Sequence, residues 1–92
     1  MLLSKTIKDD DINATYNSSD IKKTIYNPKE GKLIIIFKKG NMYIYENVSN
    51  FLYEGFERAQ SQGVYFATHI KNNPAVKFVK LTKLKDFELK NL

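Results

Sequence analysis

Two tyrosines separated by one isoleucine, Tyr43-Ile44-Tyr45, are the residues of this chain whose type and spacing most directly suggest chemistry. On a strand, the period of two puts both rings on one face. Aromatic rings on an open sheet flanked by cations are how small modules stack unpaired bases. Lys22, Lys23, Lys38 and Lys39 stand where they could meet phosphates at the sheet ends. The same rings could instead lie beneath helices, with their hydroxyls reaching a turn or a helix end. A second candidate is Ala59-Gln60-Ser61-Gln62-Gly63, where Ser61 and Gly63 fall at a helix start whose free N–H groups can hold an anion. Arg58, Ser61, Gly63 and Lys71 would form that phosphate site, and a plain helix cap at a corner accounts for the same residues.

Residue types exclude most other chemistry. There is no cysteine, so thiol catalysis, disulfides and cysteine-ligated zinc are out. His69 is the only histidine and has no acid four residues away on either side, which leaves no triad and no metal dyad. Asp9, Asp11, Asn13, Thr15, Asn17 and Asp20 fall at calcium-loop spacing, but Ala14 replaces the required Gly and Asp20 the bidentate Glu. The reading is a non-enzyme with no cofactor and no metal.

These residues must be positioned by a short chain. Ninety-two residues make one domain. Fourteen Lys and one Arg against ten acids give a net charge of +5. Residues 1–17 carry −1, residues 18–70 +2 and residues 71–92 +4, so the excess sits in the last quarter. The Lys-, Asn- and Ile-rich composition points to an AT-rich genome, that of a low-GC bacterium or its phage. No apolar run approaches the length that crosses a bilayer, and a cytoplasmic protein with no membrane partner is expected.

The elements read as strands first and helices after. Ile21 to Tyr26 is β-prone, Asn27-Pro28-Lys29-Glu30-Gly31 is a turn, and Lys32 to Phe37 is the strongest strand. Lys38-Lys39-Gly40-Asn41 closes a hairpin onto Met42 to Glu46. Ser49 or Asn50 caps a helix running to about Gln60, with Leu52, Phe56 and Ala59 on one stripe, and Val64 to Lys71 forms a second. The tail from Ala75 to Leu81 reads as a further strand, continued by Leu84 to Leu89, with its lysines outward. Leu33, Ile35 and Phe37 fill one face of the strongest strand and Ile34 and Ile36 the other. Two short helices cover one face only, so the second calls for the tail, the N-terminal segment or another copy of the chain.

Residues 18–71 resemble the KTSC domain, a module named for its place at the C-terminus of some lysyl-tRNA synthetases and also found as small bacterial and phage proteins. The resemblance rests on Ser18-Ser19, the Ile21…Tyr26 spacing, Leu33…Phe37, Gly40, Tyr43-Ile44-Tyr45, Val48, and Ala59-x-Ser61-x-Gly63-x-x-Phe66 followed by Ile70-Lys71. Ser49 stands where the family usually has Pro, and Ile25 where many members have Gly. The resemblance implies a short antiparallel sheet followed by helices, and its fusion context suggests RNA.

The expected architecture is therefore α+β: a three- to four-stranded antiparallel sheet, then two short helices, then a strand-like tail. Residues 1–17 are read as an N-terminal extension, 18–71 as the KTSC-like domain and 72–92 as a basic tail. The expected function is non-enzymatic binding of nucleic acid, foremost single-stranded RNA, through Tyr43, Tyr45, Lys22, Lys23, Lys38 and Lys39. The alternatives are a protein-interaction module, such as a phage-encoded inhibitor or adaptor or a homodimer, and a small-nucleotide binder at Ser61 and Gly63.

Overall fold

Leu33-Ile34-Ile35-Ile36-Phe37 is apolar on both faces and becomes a central strand. In the computed structural model, which describes residues 1–85 and Glu88, it is β4 (Lys32–Phe37). Before it come β1 (Leu2–Lys8), β2 (Asp11–Tyr16) and β3 (Ile21–Asn27). After it come β5 (Asn41–Glu46), α1 (Asn50–Arg58), α2 (Gln62–Tyr65), a π-helix over Phe66–Lys71, and β6 (Lys77–Lys83). The six strands form one antiparallel sheet in chain order, β1 to β6. The α+β class stands, but the sheet has six strands rather than three or four. The two additional strands are β1 and β2, from residues 1–17. They belong to the sheet itself: β2 pairs with β3 from Ile12 opposite Tyr26 to Thr15 opposite Lys23. The Lys5 ammonium also ties β1 to Glu57 of α1 at 3.0 Å. The strand continuation suggested from Leu84 to Leu89 is not found at Leu84 and Lys85, which lie past the end of β6 at Lys83, and Asp86, Phe87 and Leu89 lie outside the described residues.

Local chemistry sets the turns. Asn27 accepts from the backbone N–H groups of Lys29 and Glu30 at 3.0 and 3.1 Å, and Gly31 takes a φ of 66° to close β3 onto β4. Between β4 and β5, Gly40 has a φ of 100°, a conformation L side chains rarely adopt, and its carbonyl accepts from Leu84 N–H at 2.7 Å. A Cβ on Gly40 would collide with the Leu84 carbonyl, so only glycine lets the end of β6 cross this turn. Ser49 caps α1, accepting from Leu52 N–H at 3.1 Å.

Strand pairing assigns every side chain to a face. Ala14, Thr24, Ile35 and Tyr43 form one row across the inner face, and Tyr26, Leu33, Tyr45 and Phe78 form the next. The helices pack on these rows. Tyr26 stacks on Tyr53 at 4.2 Å between ring centroids, Tyr16 meets Phe56 edge-on at 5.3 Å, and the Tyr26 hydroxyl donates to the Val48 carbonyl at 2.7 Å. Gln62 is fully buried and donates to the Phe56 and Ala59 carbonyls, which fastens the end of α1 to the start of α2. The expected second helix, Val64 to Lys71, is thus one turn of α-helix running into a π-helix, anchored by buried Phe66 and Ile70.

The outer face carries a different row: Ile25, Ile34, Ile44 and Val79 lie side by side across β3 to β6. Ile36 and Met42 pair beside them. The isoleucines of the row are half-buried and Val79 is 55% exposed. The apolar second face read from the sequence is therefore present, and it lies opposite the helices.

Candidate functional site

The inner face is covered by helix over β2, β3 and part of β4, and less so toward β6. Where the cover thins, a pocket of about 450 Å³ opens between β4, β5, β6 and the π-helix. That volume falls within the roughly 300–1,000 Å³ of small-ligand sites. Its walls are aromatic. Phe37 meets Tyr43 edge-on at 6.0 Å and Phe66 at 5.6 Å. Tyr43 and Tyr45 lie nearly parallel at 6.1 Å, and Phe78 of β6 stands 6.0 Å from each. Alternation along β5 places the two tyrosines side by side, and the pairing of Tyr45 with Phe78 brings the third ring from a segment far along the chain.

The tyrosine pair does not form an open platform. Phe66 lies over Tyr45 at 5.3 Å, leaving that ring 4% exposed in the core, whereas Tyr43 is half-buried. Burial, with a smaller push from Tyr43, lifts the Tyr45 phenol far above its ordinary 10, so it stays protonated throughout the working range.

Polar groups rim the pocket: Lys39 and Asn41 from the β4–β5 turn, Lys71 and Asn72 from the end of the π-helix, and Asp20 from the segment before β3. Two of them are fixed by hydrogen bonds. Asp20 donates its N–H to the Ser18 hydroxyl at 3.2 Å, and its carbonyl accepts from Lys38 N–H at 2.8 Å. The Asn72 amide donates to the Ala67 carbonyl at 2.7 Å, closing the π-helix. Lys80 lies opposite Tyr43 on the same face of the sheet. Apolar flat walls with a mostly cationic rim are complementary to a planar group that carries negative charge beside it.

The sequence candidates separate in space. Tyr43, Tyr45, Lys39 and Lys71 come together in the pocket. Lys23 pairs with Ile36 and so faces the outer side, Lys22 sits in a bulge of β3, and Lys38 is exposed in the turn. Arg58 is paired with Glu54 on α1 at 3.4 Å. The Ser61 hydroxyl caps α2 by accepting from Val64 N–H at 3.2 Å. A shallow depression beside Ser61 is lined by Val64, Tyr65 and His69, with neither Arg58 nor Lys71 among its walls. Gly63 lies instead beside Asp20, where a Cβ would sit 4.0 Å from the Asp20 Cβ. Asp10 pairs with Lys29 at 3.2 Å, and no cluster of metal-ligating side chains occurs among the described residues.

Sequence reasoning passed over Asp20, Phe37, Asn41, Asn72 and Phe78 as site residues. Phe37 and Phe78 carried a signal, since both share the face of the tyrosines once the strands are paired. Asp20, Asn41 and Asn72 carried none, because turn residues of these types are ordinary.

A model of the KTSC domain family matches residues 17–73, a span that contains every pocket residue named above except Phe78 and also excludes Lys80. Among solved structures, a crystal structure of a KTSC domain protein from Yersinia pestis is similar, with a TM-score of 0.70 and 27% identity over 76% of this chain and 96% of that one. No curated protein matches the chain.

Proposed function

This chain belongs to the KTSC domain family, and from that premise we propose that it is a non-enzymatic binding module for single-stranded RNA that takes one unpaired base into the aromatic pocket. The observation that carries the reading is the half-buried Tyr43 facing a cavity walled by Phe37 and Phe78 and rimmed by Lys39 and Lys71. A base stacks on aromatic rings whatever its identity, and the adjoining phosphates meet the lysines. Bases in a duplex are stacked on their neighbours and do not reach such a pocket, which favours single strands. As an RNA-binding module it would work in the cytoplasm, and no helix among the described residues is long and apolar enough to cross a membrane.

Titrating a labelled single-stranded RNA at about 50 and about 200 mM salt tests the reading by fluorescence anisotropy. With Lys39, Lys71 and Lys80 each neutralising one phosphate, the slope of log K against log salt is about −2, and the fourfold rise in salt weakens binding roughly 20-fold. Micromolar affinity at the lower salt with that dependence is the expected result. No binding at the lower salt would remove the reading.

The outer face supports a second reading. The row Ile25, Ile34, Ile44 and Val79 is the kind of surface that another protein or a second copy of the chain covers. It predicts association that persists at high salt and is indifferent to Tyr43.

A further inference from the structure

We propose that the pocket is selective for guanine, with Asp20 as the residue that reads the base; the inference rests on the nucleic-acid reading above and deepens it. The charges around the aromatic walls are two lysines, Lys39 and Lys71, and one carboxylate, Asp20. An aromatic cage for an organic cation would carry the opposite balance, because two ammonium groups repel the ligand that the rings attract. The ligand is therefore anionic over part of its surface. A purely anionic ligand would in turn be repelled by Asp20. What satisfies all three charges is a ligand with phosphate on one side and N–H donors on the other.

Asp20 is free to accept them. Among the described residues its carboxylate forms no hydrogen bond and no ion pair, while its backbone is pinned on both sides by Ser18 and Lys38. A carboxylate accepts best from two neighbouring donors, one to each oxygen. Of the four RNA bases only guanine offers such a pair on its Watson–Crick edge, N1–H beside the N2 amino group. Adenine and cytosine set a ring-nitrogen lone pair beside their amino group, which faces the carboxylate as like to like. Uracil has a single N–H between two carbonyl oxygens. The Asn41 amide, which has no hydrogen-bond partner among the described residues, sits on the same rim and is a donor for the guanine O6. Shared chemistry leaves two sources for the ligand, a guanine in an RNA strand and a free guanine nucleotide.

Three labelled oligonucleotides of equal length, oligo-U, oligo-U with one central G and oligo-U with one central A, are titrated by anisotropy against the wild type and Asp20→Asn. GMP and AMP are titrated alongside by calorimetry. The expected result is about tenfold tighter binding of the G-containing strand than of the A-containing one. Asp20→Asn is expected to bring the two within about twofold, with its fold checked by circular dichroism. Equal affinity for the G and A strands in the wild type overturns the assignment and leaves the RNA reading in place. A preference that survives Asp20→Asn overturns the role of Asp20. If no strand binds but GMP does, AMP does not, and Asp20→Asn abolishes the GMP signal, the guanine site stands with the free nucleotide as its ligand and the RNA reading falls. If neither strands nor GMP bind, both fall.

Discussion

Tyr43→Ala is expected to weaken RNA binding by roughly 5- to 150-fold, the 1–3 kcal/mol that one stacked base contributes, while the protein keeps its fold. Tyr43→Phe is expected to keep most of the affinity, since stacking needs the ring and not the hydroxyl. Tyr45→Ala has a different outcome. Its ring is 4% exposed and lies under Phe66, so removing it opens a cavity in the core and costs about 3–5 kcal/mol of stability, on the scale of other buried aromatics. The two members of the motif thus separate by assay: anisotropy reports Tyr43 and urea denaturation reports Tyr45. An Ala variant at Tyr43 that binds as tightly as the wild type would take the base out of the pocket altogether. The double variant is uninformative, because its loss of binding would follow from loss of fold.

Helix α1 supplies the second large effect, with an internal control. Phe56 is fully buried, meeting Tyr16 at 5.3 Å and Tyr65 at 6.2 Å, whereas Phe51 is 86% exposed on the same helix. Phe56→Ala is expected to cost about 3–5 kcal/mol. A domain of this size has roughly 5–14 kcal/mol in hand, so the variant loses a large share of its stability. Phe51→Ala is expected to lie within about 0.5 kcal/mol of the wild type. Urea midpoints at a common m-value measure both. Near-equal costs at the two positions would mean that α1 does not sit on the sheet as described. Close packing continues on this helix at Gly55, where a Cβ would overlap the Tyr65 hydroxyl that donates to the Leu52 carbonyl at 3.0 Å.

How far the sequence could be read depended on turn signals and residue type. Lys32 to Phe37 was legible to the residue, and β3 and β5 to within one residue at an end, because plain turn signals at Asn27-Pro28 and Gly40-Asn41 bound runs rich in β-branched and aromatic residues. Residue type narrowed the cap of α1 to Ser49 or Asn50, and the structure takes Ser49, with Asn50 as the first residue of the helix. β1 and β2 were not. Leu2–Lys8 is an edge strand exposed along nearly its whole length, and Asp11–Tyr16 begins at the last of three consecutive aspartates and interleaves Asp11, Asn13 and Thr15 with its apolar residues. Both therefore read as a polar extension. The π-helix differs from an α-helix by one hydrogen-bond register, which leaves no trace in side-chain type. In the pocket, Tyr43 was legible through its spacing from Tyr45, but its setting was not. The walls and rim come from four separate stretches of chain, and only pairing in space brings Asp20, Asn41 and Asn72 around the rings.

Chain order has a consequence for how the protein is made. Strands β1 to β5 pair each with its successor across short turns. Contacts so local close quickly, and a meander of this kind forms hairpin by hairpin as the chain is synthesised. β6 is the exception. It meets β5 only after both helices intervene, with Phe78 opposite Tyr45 and Lys80 opposite Tyr43. β6 is the last strand to be synthesised, so the final wall of the pocket can be added only after the other five strands and both helices have been made.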